Sequence, residues 1–151
     1  MNLVLWRHAD AEDGAPGMPD DARRLTAKGE KQAKRMAAWL KDQLPGEAQV
    51  MVSPARRAQQ TAQALTRQFK TSGDIGTGAG PESVLKAAGW PKGDGTVVVV
   101  GHQPTLGQAA ALALEGKPAD WSLKKGAIWW LESRDRGDVV VRAVLAPDQL
   151  K

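Results

Sequence analysis

Two apolar runs typical of β-strands end at a histidine, and they constrain the fold more than any other feature of this sequence. Residues 3–6 are followed at once by Arg7 and His8, and residues 96–100 are followed after one glycine by His102. The chain has no other histidine. A cation or an imidazole at the end of a buried strand costs desolvation free energy unless another group compensates for it. Both strand ends are therefore candidates for a functional site.

Strand-like and helical patterns alternate along the chain, which favours a layered α/β fold with right-handed crossovers. Residues 96–100 are apolar on both faces, as in the centre of a parallel sheet. Other strands are predicted at 49–52, 127–132 and 139–144, with a turn at 136–138 joining the last two. Helices are predicted from a Thr26 cap to residue 44, from a Ser53 cap to about residue 69, over 81–88, and from Pro104 to residue 114. A short edge strand is predicted around Ile75. We predict one domain over 1–151, with helices on both faces of a mostly parallel sheet.

Composition excludes several classes of protein. The chain has 151 residues, a net charge of +4 and no cysteine, so neither a disulfide framework nor thiolate chemistry is available. No apolar stretch approaches the ~20 residues of a membrane span, and charges within the first ten residues argue against a signal peptide. The 21 basic residues are dispersed among 17 acidic ones, without the basic run of a nucleic-acid-binding segment. We therefore predict a cytoplasmic protein with no nucleic-acid or membrane partner.

The predicted topology brings three strand ends to one edge of the sheet. In open α/β sheets ligands bind outside the carboxyl ends of the strands. Arg7 and His8 follow the first strand, residues 53–57 follow the second, and His102 follows the central one. Two imidazoles with at least two guanidiniums form a site suited to phosphate or another oxyanion, because a guanidinium binds such anions through paired hydrogen bonds.

The helix after Ser53 carries two adjacent arginines, of which one is the better candidate. Its apolar stripe is formed by residues 58, 62, 65 and 69. At ~100° per residue, Arg57 borders this stripe, whereas Arg56 lies roughly 160° from its centre. We therefore expect Arg57 to reach the site and Arg56 to face solvent.

These motifs together resemble the histidine phosphatase superfamily, and within it the short phosphohistidine phosphatases of the SixA type. The resemblance rests on a strand ending in Arg7-His8, on Leu25-Thr26-x-x-Gly29, on the segment SPARRAQQT at 53–61, and on a strand ending in Gly101-His102. It implies a phosphoglycerate mutase-like fold. The short glycine-rich segment before the central strand is too small to build a large helical lid.

The resemblance also implies a mechanism. His8 would attack phosphorus and carry a covalent phosphohistidine, while Arg7, Arg57 and His102 would bind the phosphoryl oxygens. No metal or organic cofactor would be needed. The expected substrate is phosphohistidine on a protein, such as a histidine phosphotransfer domain. A small-molecule phosphomonoesterase with the same site, or a noncatalytic module that recognises phosphate, remains an alternative.

Two departures from the family pattern bear on this interpretation. The superfamily usually has glycine after the histidine, whereas this chain has Ala9, which would be strained if the backbone φ there were positive. The general acid that many relatives use has no clear match. The candidates for it are Asp10, Asp20, Asp21 and Glu82. A phosphoramidate leaves more easily than an alkoxide, so a missing acid favours phosphohistidine over phosphate esters.

Overall fold

The computed structural model describes residues 1–150 and contains one six-stranded sheet. The strands are β1 (Asn2–Arg7), β2 (Gln49–Val52), β3 (Lys70–Thr71), β4 (Thr96–Gly101), β5 (Ile128–Ser133) and β6 (Val139–Leu145), in the spatial order β3-β2-β4-β1-β5-β6. β4 pairs in parallel with β1 and β2, and β3 is parallel to β2. β5 and β6 are added antiparallel beyond β1. The predicted α/β class, with β4 inside a mostly parallel sheet, is confirmed.

Four helices connect the strands, namely α1 (Ala27–Gln43), α2 (Arg56–Gln63), α3 (Pro81–Ala88) and α4 (Thr105–Glu115). α1 begins where the sequence predicts it, because the Thr26 hydroxyl accepts a hydrogen bond from the Gly29 N–H at 3.0 Å. α3 has the predicted bounds, and α4 ends one residue beyond the prediction. No helix within residues 1–150 combines the length and the apolar character needed to cross a bilayer.

Alternate residues of β1 face opposite layers of the molecule. Leu3 and Leu5 belong to a core that α3 and α4 cover, whereas Val4 and Trp6 belong to a core that α1 and α2 cover. All four side chains are fully buried. Because successive strand residues point to opposite faces, both faces of the sheet must be covered, and the three-layer arrangement follows.

α2 is shorter at both ends than the sequence predicts. The expected cap was Ser53, but the helix begins at Arg56 with Ala55 as its N-cap and ends at Gln63 instead of near residue 69. The Ser53 hydroxyl accepts a hydrogen bond from the Ala55 N–H at 3.2 Å and is otherwise bonded to His102, so it does not cap the helix. After Gln63 the chain turns back toward the sheet to form β3.

The segment between α2 and β4 places no helix over the carboxyl end of β1. Its helix α3 packs against α4 on one face of the sheet, so the absence of a large lid is confirmed. The edge strand lies at Lys70–Thr71, not around Ile75 as predicted. Ile75 instead ends a 3-10 turn and is buried in the core that α3 and α4 cover, where it cannot lie on an exposed sheet edge.

Gly29 allows the first turn of α1 to lie against the loop after β1. A Cβ atom at this position would collide with the backbone carbonyl group of Asp10, which cannot move aside as a flexible side chain would. Asp10 also accepts a hydrogen bond from the Thr26 N–H at 3.1 Å through the same carbonyl oxygen. The glycine of the Leu25-Thr26-x-x-Gly29 motif therefore sets the distance between α1 and the site loop.

We expect Gly29→Ala to lower the free energy of unfolding by about 2 kcal/mol or more, because overpacking against backbone costs at least this much. Gly46→Ala is the matched control, since a Cβ there would have no neighbour within 4 Å. Urea denaturation of both variants measures the difference. Equal stabilities of the two variants would contradict the proposed contact.

Candidate active site

Backbone hydrogen bonds continue past the strand ends and hold the site residues in register. The His8 N–H donates to the Gly101 carbonyl at 3.0 Å, and the Ser53 N–H donates to the Val100 carbonyl at 3.0 Å. On the other side, the Gly126 N–H donates to the His8 carbonyl at 3.0 Å. The segments after β1, β2 and β4 are thus fixed to one another, as expected for ligand-binding residues at the carboxyl ends of parallel strands.

The tautomer of His8 is set by its neighbour. Its Nδ1 lies 2.8 Å from the Ala9 carbonyl oxygen. Because a carbonyl oxygen can only accept, Nδ1 must carry the hydrogen and donate it. The other ring nitrogen, Nε2, is therefore left with a free lone pair, which is the form of imidazole that can act as a nucleophile.

His102 lies beside His8, with ring centroids 5.3 Å apart and ring planes inclined by 56°. Its Nδ1 lies 3.5 Å from Nη2 of Arg57, and its Nε2 lies 2.7 Å from Oγ of Ser53. A guanidinium can only donate, so Nδ1 accepts and Nε2 donates to the Ser53 hydroxyl. Since a hydroxyl both donates and accepts, Ser53 is compatible with either tautomer of His102.

The two arginines predicted for the site are held at its walls. Arg7 donates from Nη1 to the Leu123 carbonyl at 2.7 Å. Arg57 is 3% exposed, whereas Arg56 faces solvent, as the helical periodicity predicts. Among residues 1–150, the buried side-chain nitrogen and oxygen atoms without a hydrogen-bond partner are Nε of Arg7 and Nε of Arg57. Buried donors are nearly always paired, so these two N–H groups indicate a site for an oxyanion.

Burial keeps both imidazoles neutral. The pKa of His8 is lowered to about 3, chiefly by desolvation and further by electrostatic interactions with His102, Arg57 and Arg7, while its hydrogen bond to Ala9 has a smaller opposing effect. Desolvation, followed by the charge of Arg57, lowers the pKa of His102 to about 4. At neutral pH the site therefore combines two uncharged rings with the buried guanidinium of Arg57 and the half-buried guanidinium of Arg7.

The four predicted residues, Arg7, His8, Arg57 and His102, line a single cavity of about 310 Å³. Sequence reasoning missed the other lining residues, which are Ala11, Asp13, Arg23, Thr77, Gln103 and Lys125. Arg23 lies two residues before the Leu25-Thr26-x-x-Gly29 motif, and this position was the one available signal for it. Lys125 reaches the cavity from the loop before β5. It does not follow a strand, so the sequence pattern gave no signal for it. Residues 1–150 contain no cluster of three or more side chains suited to bind a metal ion.

Of the four carboxylates considered as general acid, one reaches the cavity. Asp10 accepts hydrogen bonds from the Thr26 hydroxyl at 2.7 Å and from Lys125 at 3.0 Å, and these contacts lower its pKa. Asp21 and Glu82 are exposed and do not line the cavity. Asp20 does line it.

Asp20 is bound by two guanidiniums. Its Oδ2 accepts from Nη2 of Arg57 at 3.0 Å, and its Oδ1 accepts from Nε of Arg23 at 2.9 Å. The hydrogen bond from Arg23, and then that from Arg57, lowers the pKa of Asp20. A carboxylate held ionised in this way is a poor proton donor at neutral pH.

Ala9 fits the loop without strain. No residue other than glycine has a positive φ within residues 1–150. Ala9 is fully buried against Leu25 and Ala33, and its N–H donates to the Thr61 hydroxyl at 3.1 Å. The substitution of alanine for the usual glycine is therefore accommodated by an apolar contact with α1.

A larger cavity, of about 490 Å³, lies at the opposite end of the sheet near Met1 and Trp90. It is formed largely by turn residues and contains neither of the histidines. Size does not single out the smaller cavity, but the unpaired donors and the neutral imidazoles lie there, and we therefore take it as the active site.

Comparison with known proteins agrees with this geometry. Residues 3–76 match the model of the histidine phosphatase superfamily (branch 1). An uncharacterized protein of Picosynechococcus sp. (strain ATCC 27264 / PCC 7002 / PR-6) is 34% identical over 141 residues, which cover 88% of this chain and 86% of the relative. The phosphohistidine phosphatase SixA of Escherichia coli (strain K12) is 30% identical over 129 residues, which cover 78% and 76% of the two chains. The chain belongs to the histidine phosphatase superfamily.

Its structure places it in the SixA-type branch of that superfamily. The protein histidine phosphatase SixA, solved in complex with tungstate, superposes with a TM-score of 0.84 and 25% identity, over 99% of each chain. The family resemblance expected from the motifs is thus confirmed. The family and its structural neighbours both identify this protein as a phosphatase.

We expect both imidazoles to remain neutral down to about pH 5, because their pKa values lie near 3 and 4. The two histidines give two sets of ring signals, so ¹H–¹⁵N NMR of the free protein follows each directly. Since the unfolded chain binds protons at these rings below about pH 6.5, the free energy of unfolding should also decrease as the pH falls below that value. Titration of either ring near pH 6.5 in the folded protein would contradict the burial argument.

We expect Asp20→Asn to strengthen tungstate binding by about two- to fivefold, because the carboxylate competes with an oxyanion for Arg57 and an exposed ion pair is worth up to ~1 kcal/mol. Asp21→Asn, which removes a neighbouring exposed charge that does not contact Arg57, is the control. Calorimetric titration with tungstate measures both. Weaker binding by Asp20→Asn would mean that Asp20 organises the arginine, and a lower kcat toward a phosphate ester would mean that it acts as the acid.

Proposed function

We propose that the protein is a phosphohistidine phosphatase that removes phosphoryl groups from histidine side chains of other proteins. The observation that carries this proposal is the neutral His8, whose free Nε2 lies in a cavity with two guanidiniums that each retain a buried, unpaired Nε–H group. The names of the related SixA proteins support the same substrate class.

In the first step, Nε2 of His8 attacks phosphorus in line with the scissile P–N bond. The new N–P bond forms as the substrate P–N bond breaks, and the departing imidazole keeps the electron pair and takes a proton from water. His8 then carries the phosphoryl group. In the second step a water molecule attacks phosphorus, the bond to His8 breaks, and inorganic phosphate is released. Positioning and charge stabilisation carry most of such a reaction.

Arg7 and Arg57 bind the oxygens of the transferred group. Their unpaired Nε–H groups are available to the anion, and guanidiniums in a buried site stabilise the charge that spreads over the phosphoryl oxygens. His102 contributes through Nδ1, on the side of its ring that faces Arg57. When an oxyanion binds, the Ser53 hydroxyl reverses and donates to Nε2, so that Nδ1 carries the hydrogen and donates it to the anion.

The lack of an effective acid favours a phosphoramidate substrate. Asp20 is the one of the four predicted acid candidates that lines the cavity, and its two arginine contacts keep it ionised; the other carboxylate that lines the cavity, Asp13, is exposed to solvent. An alkoxide is a strong base and leaves slowly without a proton donor, whereas imidazole is a much weaker base. A site of this kind is therefore better suited to phosphohistidine than to a sugar or nucleotide phosphate.

The open approach to the cavity favours a protein substrate. The segment that builds lids in larger relatives is short here, and its helix α3 packs against α4 instead of over the site. When a phosphohistidine on the surface of a folded domain enters the cavity, the backbone of that domain must lie close to the cavity opening. An uncovered rim permits this approach.

We expect His8→Ala to abolish release of phosphate from a phosphohistidine-bearing phosphotransfer domain, since both ring nitrogens of the other imidazole, His102, are already bonded to Ser53 and Arg57. Arg57→Ala should lower kcat/KM by about 10²–10³-fold through loss of charge stabilisation. Arg56→Ala, one residue away and exposed, should leave it unchanged. Phosphate release by wild type and variants is measured beside a small phosphate ester.

The ester distinguishes the alternatives. Release from the ester but not from the phosphoprotein would assign the site to a small-molecule phosphomonoesterase. Release from neither substrate would contradict catalysis at this site and leave a module that recognises phosphate. Phosphoprotein turnover that survives His8→Ala would show that another group is the nucleophile.

A further inference from the structure

A groove with an excess of positive charge lies next to the active-site cavity. Lys28, Lys31 and Arg35 form one wall, and Pro147 and Asp148 form the other, around a volume of about 370 Å³. We call this the basic groove. The three cations follow at spacings of three and four residues along α1, so they lie on one face of the helix and repel one another.

Nothing within residues 1–150 neutralises these three cations. None of them forms an ion pair with a carboxylate, and Arg35 donates only to the Pro147 carbonyl, at 3.3 Å. The carboxylate of Asp148, on the opposite wall, is paired with Lys124 at 3.5 Å. A single exposed lysine has little effect on stability. A row of unpaired like charges, however, lowers the stability of the folded protein through mutual repulsion unless an anion binds to it.

The basic groove shares a wall with the active site. Gln32, at the floor of the groove, accepts a hydrogen bond from the Asp10 N–H at 2.9 Å. Asp10 in turn accepts from Lys125 at 3.0 Å, and Lys125 lines the cavity. Gly126, whose N–H donates to the His8 carbonyl, lies against Gln32 and Pro147. An anion in the groove therefore lies one layer of side chains away from the backbone of the nucleophile.

We propose that the basic groove docks an acidic helix of the substrate protein, next to its phosphohistidine. This inference rests on the proposed function. The cations at 28 and 35 are separated by seven residues, or about 10 Å along the helix, so carboxylates at the same helical spacing on a partner can face all three. Such pairs form at an exposed rim, where charge complementarity accelerates association and selects partners more than it strengthens the complex.

A charge-reversal experiment tests the proposal. The groove variant is Lys28→Glu/Lys31→Glu, and the matched control is Lys34→Glu/Lys41→Glu, which makes the same change at exposed positions on another face of α1. Two substrates are compared: a helical phosphohistidine peptide with glutamates on the face of the phosphohistidine, and the same peptide with glutamines there. Inorganic phosphoramidate reports on the chemistry alone.

We expect the groove variant to lose at least about tenfold in kcat/KM toward the glutamate peptide at low salt, and to lose little at high salt, because the pairs are screened. The control variant and the glutamine peptide should show less than about a twofold change. Turnover of phosphoramidate should be unchanged in both variants. A peptide that carries lysines in place of the glutamates should restore activity to the groove variant.

Other outcomes would overturn the proposal. An equal loss in the control variant, or an equal loss toward phosphoramidate, would show a general effect of charge or folding. No loss toward the glutamate peptide would show that the groove does not dock it, and binding of duplex DNA that disappears in the groove variant would assign the groove to nucleic acid. Failure of the wild-type protein to act on either peptide, with normal turnover of a phosphate ester, would instead contradict the proposed function.

Discussion

The desolvation of His8 is the constraint on which the rest of the site depends. A histidine at the end of a strand buried on both faces loses its hydration, and its pKa falls to about 3. The ring must then find hydrogen-bond partners as a neutral group, and the Ala9 carbonyl takes the single hydrogen at Nδ1. The lone pair of Nε2 is left in a cavity where the two unpaired buried side-chain groups are the Nε–H donors of Arg7 and Arg57. Burial at one strand end thus leaves an imidazole in the form that can act as a nucleophile, next to guanidiniums that can bind an anion.

Burial alone would make two guanidiniums unfavourable, and the structure compensates for them only in part. Arg7 donates to a backbone carbonyl, and Arg57 donates to Asp20, but both retain an Nε–H without a partner. Under the proposed function a bound oxyanion completes these interactions, so the free energy that folding leaves unsatisfied becomes available to substrate and transition state. The same reasoning applies to the cations of the basic groove, where a partner's carboxylates would complete the pairing. Because these cations are exposed, their desolvation costs less free energy.

Sequence reasoning recovered the parts of this arrangement that local pattern determines. β1 and β4 both contain continuous runs of apolar residues. The residues that follow these runs include Arg7, His8 and His102, so the pattern alone identified them as site candidates. Helical periodicity was sufficient to separate Arg57 from Arg56. Glycine and proline positions bounded α1, α3 and α4 within a residue or two.

Most of the errors have one physical origin, which is that contacts between residues distant in sequence determine the structure at these positions. Ser53 is of a residue type that commonly caps helices, but its hydroxyl is bonded to His102, which is 49 residues away in the sequence. Asp20 could be proposed only as one of four carboxylates, because its contact with Arg57 spans 37 residues. Lys125 reaches the cavity through a loop that no periodicity marks. The edge strand at Lys70–Thr71 is only two residues long, too short to produce a pattern.

The central claim is that Nε2 of His8 is the atom that accepts the phosphoryl group, and its direct test is to identify the phosphorylated nitrogen. The protein would be mixed with excess phosphoramidate, quenched in base, where phosphohistidine is stable, and analysed by mass spectrometry and by ¹H–¹⁵N–³¹P NMR. The account predicts one phosphoryl group, on His8, with phosphorus coupled to Nε2. A phosphoryl group on Nδ1 or on His102, or none under turnover conditions, would contradict it.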